Sequence, residues 1–429
     1  MVRREVWVTG VGMISSLGIG MDEVWGALAA GRTGCAPLGG EAALAVGCVA
    51  GAPVKGFRSA RMIPNRKSLK LMTRPVQFGV AAAALAFEDA GLEVGAVDPE
   101  RLGVFVGAGQ AFADRDELQF ALDKSRGQDG QIDMARFGAE GMPLIHPLWL
   151  LRGLSNNVLG FVSLEYNAQG INNNYANSGV SSIQAIASAA DAIAEGRADL
   201  SFAGGYDAAT MDEFIIGHGR LGLLASGPGD PALAHRPFDR ARSGLVPGEG
   251  GCFLILEAAE HATARGKRGI ARISGGGITS DAFAVADANP DGTKQRRAAS
   301  EAMRQAKIEP GDVGAIFAHG TATQGYDPVE IGAYRALFGA RLGQIPLTAD
   351  KAGLGHTMSA CGAMSAAVAA RAVDVQRVPP IASLQEVAPE CEGPDFVAGS
   401  DRAATFEHAL VSSAGLGGQA AALIVSRVR

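Results

Sequence analysis

Three stretches of the chain carry residue types that do chemistry, at spacings that could bring them together. In "FAHGTATQGYDPVEIG", His319 follows an apolar run and precedes Gly320. That leaves an imidazole at a strand end, where open α/β sheets gather ligands. In "DKAGLGHTMSACGAM", Lys351 and His356 stand five residues apart across a glycine-rich bend. A cation and an imidazole converging on one pocket would stabilise a carboxylate or an oxyanion. In "INNNYANSGVSSI", a polar run tips into the turn-prone "NSG" and opens a segment, "QAIASAADAIAEG", with apolar and small residues at helical spacing. A strand, tight turn and buried helix of this kind suits a nucleophile, because the free N–H groups and positive dipole end of the helix favour an anion. No Cys stands at the turn. Each stretch also has an ordinary reading: a turn histidine satisfied by backbone, a surface lysine beside a capping histidine, a loop.

Positioning these groups requires a large scaffold. At 429 residues the chain exceeds what one hydrophobic core usually supports, so two units or two fused halves are expected. With 47% hydrophobic and 19% charged residues and 59 glycines, the composition suits a compact α/β protein with many tight strand-to-helix turns. Strand-like runs ("EVWVTGVGMISSLG", "RLGVFVGAG", "DLSFAGGYDA", "GGCFLILEAAE") alternate with helical ones ("RPVQFGVAAAALAFEDAGL"), and the rhythm restarts at "IARISGGGITSD". Alternation of this kind predicts mostly parallel sheets covered by helices. The boundary falls near residue 260, giving halves 1–260 and 261–429. Residues 110–169, rich in charge, Gly and Pro, break the rhythm and read as an excursion that caps a cleft or makes an interface.

A net charge of -6 argues against a general nucleic-acid binder. No secretory h-region and no run of about 18 apolar residues stands out, so no membrane association is expected and a cytoplasmic location is. The five cysteines, Cys35, Cys48, Cys252, Cys361 and Cys391, are odd in number and widely spread, which predicts free thiols rather than disulfides or a zinc site. Cys252 lies within an apolar strand and reads as core.

The ordered set "NSGV" before a small-residue helix, "RPFDRARSGLVPGEGG", "HGTAT" with "YDPVE", "DKAGLGH" and a terminal "SSAGLGG" resembles the β-ketoacyl-acyl carrier protein synthases of the type I/II group. The resemblance runs over nearly the whole chain. It implies the thiolase fold: α/β, two pseudo-repeated halves in a five-layered α-β-α-β-α arrangement. In that family a Cys at the tip of the buried helix carries the acyl group, and two His with an orienting Lys handle malonyl decarboxylation. Carried over, the two His are His319 and His356 and the Lys is Lys351, while Asp327 and Glu330 fall on the acidic pair after "HGT". Aligned on "SGV", the nucleophile's position is Ala176. Cys361, at the start of a helix, makes an arguable second elbow, although the family has a small packing residue there.

Ala176 implies either a natural non-condensing relative or an introduced Cys→Ala exchange. The family's terminal "SFGFGGTN" reads here "SSAGLGGQA", with Ala414 for the gating Phe, Leu416 for a second Phe, Gln419 for Thr and Ala420 for Asn; Tyr175 precedes Ala176 where a small residue is preferred. So many departures favour the natural reading. A Cys-less, otherwise ketosynthase-like chain resembles the chain length factor, or ketosynthase β, of type II polyketide synthases, although aromatic-pathway members often have Gln at the Ala176 position. The resemblance implies a Cys-bearing ketosynthase α as heterodimer partner, and an acyl carrier protein whose phosphopantetheine arm delivers acyl and malonyl groups, with no further cofactor and no metal. Implied tunnel or interface residues are Gln110, Phe112, Asp114, Leu148, Trp149 and Tyr175. The basic stretch "RMIPNRKSLKLMTR", with Arg61, Arg66, Lys67, Lys70 and Arg74, overlaps the family's carrier-docking helix; Arg66, Lys67 and Lys70 are its docking candidates. The rival readings are a β-ketoacyl synthase inactivated at Ala176 and a malonyl-thioester decarboxylase using His319, His356 and Lys351.

Overall fold

In a computed structural model that describes residues 3–109, 115–227 and 229–428, the amino-terminal half lays five strands side by side. These are β1 (Val6–Ser15), β2 (Leu102–Gly107), β3 (Asn172–Tyr175), β4 (Leu200–Ala208) and β5 (Glu249–Ala258), in the spatial order β1-β5-β4-β2-β3. The carboxy-terminal half contributes β6 (Ala271–Ser280), β7 (Val313–Phe317), β8 (Pro346–Thr348), β9 (His408–Ala414) and β10 (Gln419–Ser426), in the order β6-β10-β9-β7-β8. Each strand of the second set takes the place of the one five earlier. The pairing directions repeat as well: the first three strands of each set are antiparallel and the outer pairs parallel. A short antiparallel contact, Trp7 with Arg272 and Val8 with Ala271, joins the halves. This is the topology of the thiolase fold.

Helices follow the same repeat. They are α1 (Arg74–Asp89), α2 (Asn157–Tyr166), α3 (Ser181–Ala194), α4 (Thr293–Ala306), α5 (Tyr326–Phe338) and α6 (Cys361–Val375). α3 and α6 lie between the two sets of strands, each touching both, whereas α1 covers the outer face of the first set and α4 that of the second. A helix buried all round cannot show a polar face, and α3 and α6 are accordingly built from Ala, Ser and aliphatic residues, nearly all inaccessible. The outer helices approach very closely. A Cβ on Gly12 of β1 would meet the Ala82 carbonyl of α1 at 2.0 Å, and one on Gly277 of β6 would meet the Ala298 carbonyl of α4 at the same distance. Glycine is required at both places for steric reasons, which explains why the glycine-rich strands recur in each half.

The core divides accordingly into a central cluster around α3 and α6 and two outer clusters, one per half. The five cysteines are buried and unpaired, and Cys252 is core, as expected. The excursion carries helix Arg115–Lys124 and α2, and it exposes large apolar side chains, among them Leu150 and Leu164. No helix among the described residues is long and apolar enough to cross a membrane.

Candidate functional site

The two central helices start side by side. Short turns, Ser178–Val180 and Met358–Ala360, lead into α3 and α6, and each begins with a left-handed non-glycine residue: φ is 53° at Ser178 and 43° at Met358. The turns interlock where Ser182 Oγ accepts the Ala363 N–H at 2.9 Å. Two positive helix ends therefore face one spot.

His319 arrives from the end of β7. Its backbone N–H and that of Gly320 donate to the two oxygens of Glu330, at 2.7 and 2.9 Å, and the Tyr334 hydroxyl donates to the same carboxylate at 2.7 Å. Asp327 accepts the backbone N–H groups of Phe238, Thr321 and Ala322 at 2.7, 3.0 and 3.1 Å. The acidic pair of α5 is thus a clamp that sets the "HGTAT" loop. Burial pushes the Asp327 carboxyl up to about 7 and that of Glu330 upward.

His356 stands with its ring centroid 5.1 Å from that of His319, edge to face. Its Nδ1 accepts the Met358 N–H at 3.1 Å, so in the neutral ring the proton sits on Nε2. Lys351 is 1% exposed, and its Nζ has no hydrogen-bond partner in the structure. Burial, reinforced by Lys351, holds both imidazoles well below the usual histidine range. They are neutral at physiological pH. His319, Lys351 and His356 lie close together in the structure.

The residue of the turn that meets them is Gly179. A Cβ placed there would lie 3.5 Å from Cε1 of His319 and only 2.1 Å from the carbonyl oxygen of Ala414. Ala176 instead follows directly on the edge strand β3 and is exposed. The expectation that Ala176 holds the nucleophile's position is therefore corrected to Gly179, three residues on. The cause of the error is physical: "SGV" is a short run of small residues that anchors register poorly, and only packing against His319 decides which residue of the turn faces inward. An introduced Cys→Ala exchange at position 176 is left without a catalytic meaning.

Beside these groups opens a cavity of about 710 Å³, bounded among others by Ser178, His319, His356, Met358, Ala414 and Leu416. The two gate-loop positions thus line it. Tyr175 does not; its hydroxyl bonds Ser188 at 2.7 Å and its ring packs on the central core. Leu148 and Trp149 are half-buried on the excursion and are not part of this lining. Gln110, Phe112 and Asp114 lie outside the described residues. Arg66, Lys67 and Lys70 are exposed, whereas Arg74 is engaged by Glu249 at 2.8 Å.

Three features went unread in the sequence. Gly179 is one. Asp281 is another: it accepts the N–H groups of Phe283 and Asn289 at 3.0 and 2.9 Å and pins the loop at the cavity mouth. The third is the closeness of Cys361 to both imidazoles: one ligand atom each of His319, His356 and Cys361 lies within 4.8 Å of the others. Geometrically such a trio could hold a metal ion.

Fold and site together define a thiolase-fold protein in which two neutral histidines and a buried lysine gather beside a glycine turn. The chain matches the description "Beta-ketoacyl synthase, N-terminal domain" over residues 3–262 and "Beta-ketoacyl synthase, C-terminal domain" over residues 270–385. It belongs to the β-ketoacyl synthase family. It is 30% identical over 428 residues to a 3-oxoacyl-[acyl-carrier-protein] synthase 2 of Coxiella burnetii, covering all of both chains. It is also 30% identical to a putative polyketide beta-ketoacyl synthase 1 of Streptomyces cyaneus, covering 99% of this chain and 98% of that protein. Among solved structures, the ishigamide ketosynthase/chain length factor superposes with a TM-score of 0.87 at 27% identity over the whole of both chains. A type II polyketide synthase acyl-carrier protein in complex with its ketosynthase matches with a TM-score of 0.86 at 25% identity, covering 99% of this chain and all of that one.

Proposed function

We propose that this chain is the non-condensing, chain length factor-like member of a ketosynthase pair, working beside a Cys-bearing ketosynthase and lining the tunnel of the growing acyl chain. One observation carries the reading: the turn that faces His319 presents Gly179, with neither a side chain nor space for one beneath the Ala414 carbonyl. Condensation through a thioester on that turn is closed. Support for a partner comes from the surface. β3 is the edge of its sheet, with Asn172 and Asn173 exposed, and open edges pair readily with another chain. Next to it α2 shows Leu164 at 82% exposure, and elsewhere on the excursion Leu150 is 71% exposed; exposed apolar side chains of this kind mark protein contacts. The partner's acyl carrier protein, with its phosphopantetheine arm, supplies the substrate in this reading.

Co-expression with Cys-bearing ketosynthases encoded nearby, followed by co-purification, tests the proposal. A stable 1:1 complex that condenses, where the single chain does not, is the expected result. A homodimer that persists in the partner's presence and makes β-ketoacyl product alone overturns it. A second reading, malonyl-thioester decarboxylation, is favoured by the intact trio His319, Lys351 and His356. Carbon dioxide release from malonyl carrier protein by the single chain, lost on His319→Ala, distinguishes it.

A further inference from the structure

We propose that Cys361 is an acyl-accepting thiol, supplied to the site by the second central helix in place of the side chain the first one lacks. Cys361 is the first residue of α6, so its sulfur sits at a helix N-terminus. Its Sγ lies 3.4 Å from the carbonyl oxygen of Gly179 and within 4.8 Å of a ring nitrogen of each histidine. It is thus next to the glycine turn, although 182 residues separate the two in the chain. Two further observations point to a ligand there. Lys351 Nζ and His319 Nδ1 are buried without hydrogen-bond partners, and the cavity reaches both imidazoles.

The same trio could be read as a metal site, but its chemistry favours an anion. The Met358 N–H occupies His356 Nδ1, which leaves an N–H rather than a lone pair on Nε2. The Lys351 side chain and the positive end of α6 also oppose a cation and favour a thiolate or an oxyanion. Burial keeps the resting thiol protonated, with Lys351 acting in the opposite sense. A base is therefore needed, and His319, with its Nδ1 unpartnered and a ring nitrogen within 4.8 Å of the sulfur, is placed to take the proton.

The step balances as a thioester exchange. Cys361 Sγ attacks the carbonyl carbon of a carrier- or pantetheine-borne thioester, forming a new S–C bond. The thiol proton passes to the free ring nitrogen of His319. The His356 Nε2–H and Lys351 stabilise the tetrahedral oxyanion, and the old C–S bond breaks as the leaving thiolate takes the proton back from His319. Cys361 itself is 1% exposed and does not line the cavity, so acylation requires the turn residues Ser178 and Met358, which do line it, to move aside.

The purified full chain, incubated with a hexanoyl thioester of N-acetylcysteamine, tests this by intact-mass analysis, peptide mapping and thiol release. The expected result is one hydroxylamine-labile hexanoyl group on the peptide containing Cys361, and one equivalent of released thiol. Acylation is absent in Cys361→Ala and at least tenfold slower in His319→Ala. The wild-type peptide map reads the site even if a variant fails to fold, with Cys35, Cys48, Cys252 and Cys391 as internal controls. No adduct under conditions that acylate free cysteine, an adduct on another cysteine, or one equivalent of tightly held zinc would each overturn the proposal. Acylation of the single chain is read separately from pairing, so it stands or falls independently of the subunit role.

Discussion

The carbonyl oxygen of Ala414 fills the place that a side chain on Gly179 would need: a Cβ there would lie 2.1 Å from it. Backbone of the terminal loop thus closes over the glycine turn, and Ser413 Oγ fastens the loop by donating to the Gly179 carbonyl at 2.7 Å. Putting a nucleophile back is therefore a packing problem as well as a chemical one.

Gly179→Cys should not restore condensation to the single chain. The new Cβ forces the loop outward, and overpacking of this kind costs about 1–3 kcal/mol. Denaturant unfolding reads the loss, and product analysis with acyl and malonyl carrier protein reads the activity. Ala176→Cys, at an exposed position, should leave both stability and activity unchanged.

Glu330 holds two backbone N–H groups and the Tyr334 hydroxyl with one carboxylate. Glu330→Ala leaves buried donors unpaired at about 1–3 kcal/mol each, whereas Glu330→Gln keeps the shape and part of the bonding. Unfolding midpoints should fall in the order wild type, Gln, Ala. Equal midpoints for wild type and Ala would contradict the clamp.

His235 is sealed in the interior, and burial pushes it down to about 3 from its ordinary 6.5. Its Nδ1 accepts the Val246 N–H at 2.9 Å and its Nε2 meets the Gly320 carbonyl at 3.3 Å, so it is neutral and fully bonded. The unfolded chain binds the extra proton between those pH values, so the stability it contributes is present above pH 6.5 and is lost as pH falls toward 3. The stability gap between wild type and His235→Gln should therefore narrow on acidification, by up to about 1.4 kcal/mol per pH unit. A gap constant from pH 7 to pH 5 would count against this account.

Arg66, Lys67 and Lys70 project together from a short exposed turn. Changing all three to Glu should weaken binding of an acidic carrier protein at least tenfold at low salt, with a smaller difference as ionic strength rises. Calorimetry at two salt concentrations reads both effects. Thermal stability should not move.

Leu164 is 82% exposed on α2, beside the edge strand. Leu164→Glu should be silent in the free chain and should abolish pairing with a Cys-bearing ketosynthase, measured by co-purification. Pairing that survives would place the partner elsewhere.

Much of this protein is legible in its sequence because the informative patterns are local. Apolar runs between glycines mark buried strands, all-small helices mark burial on every side, and "HGTAT" and "DKAGLGH" announce His319, Lys351 and His356 by their immediate neighbours. Residues whose role depends on packing across the molecule are not legible in this way. "NSGV" shows that a tight turn is present, but which of its residues faces the histidines is decided by how α3 seats between the two sets of strands, and that moved the reactive position from Ala176 to Gly179. Cys361 reads locally as an arguable second elbow at a helix start, in a place where the family has a small packing residue. Only the repeat of the two halves, which brings the starts of α3 and α6 together, sets its sulfur beside Gly179 and the two imidazoles. Local chemistry is written in neighbouring residues, whereas convergence of distant ones is a property of the packed chain.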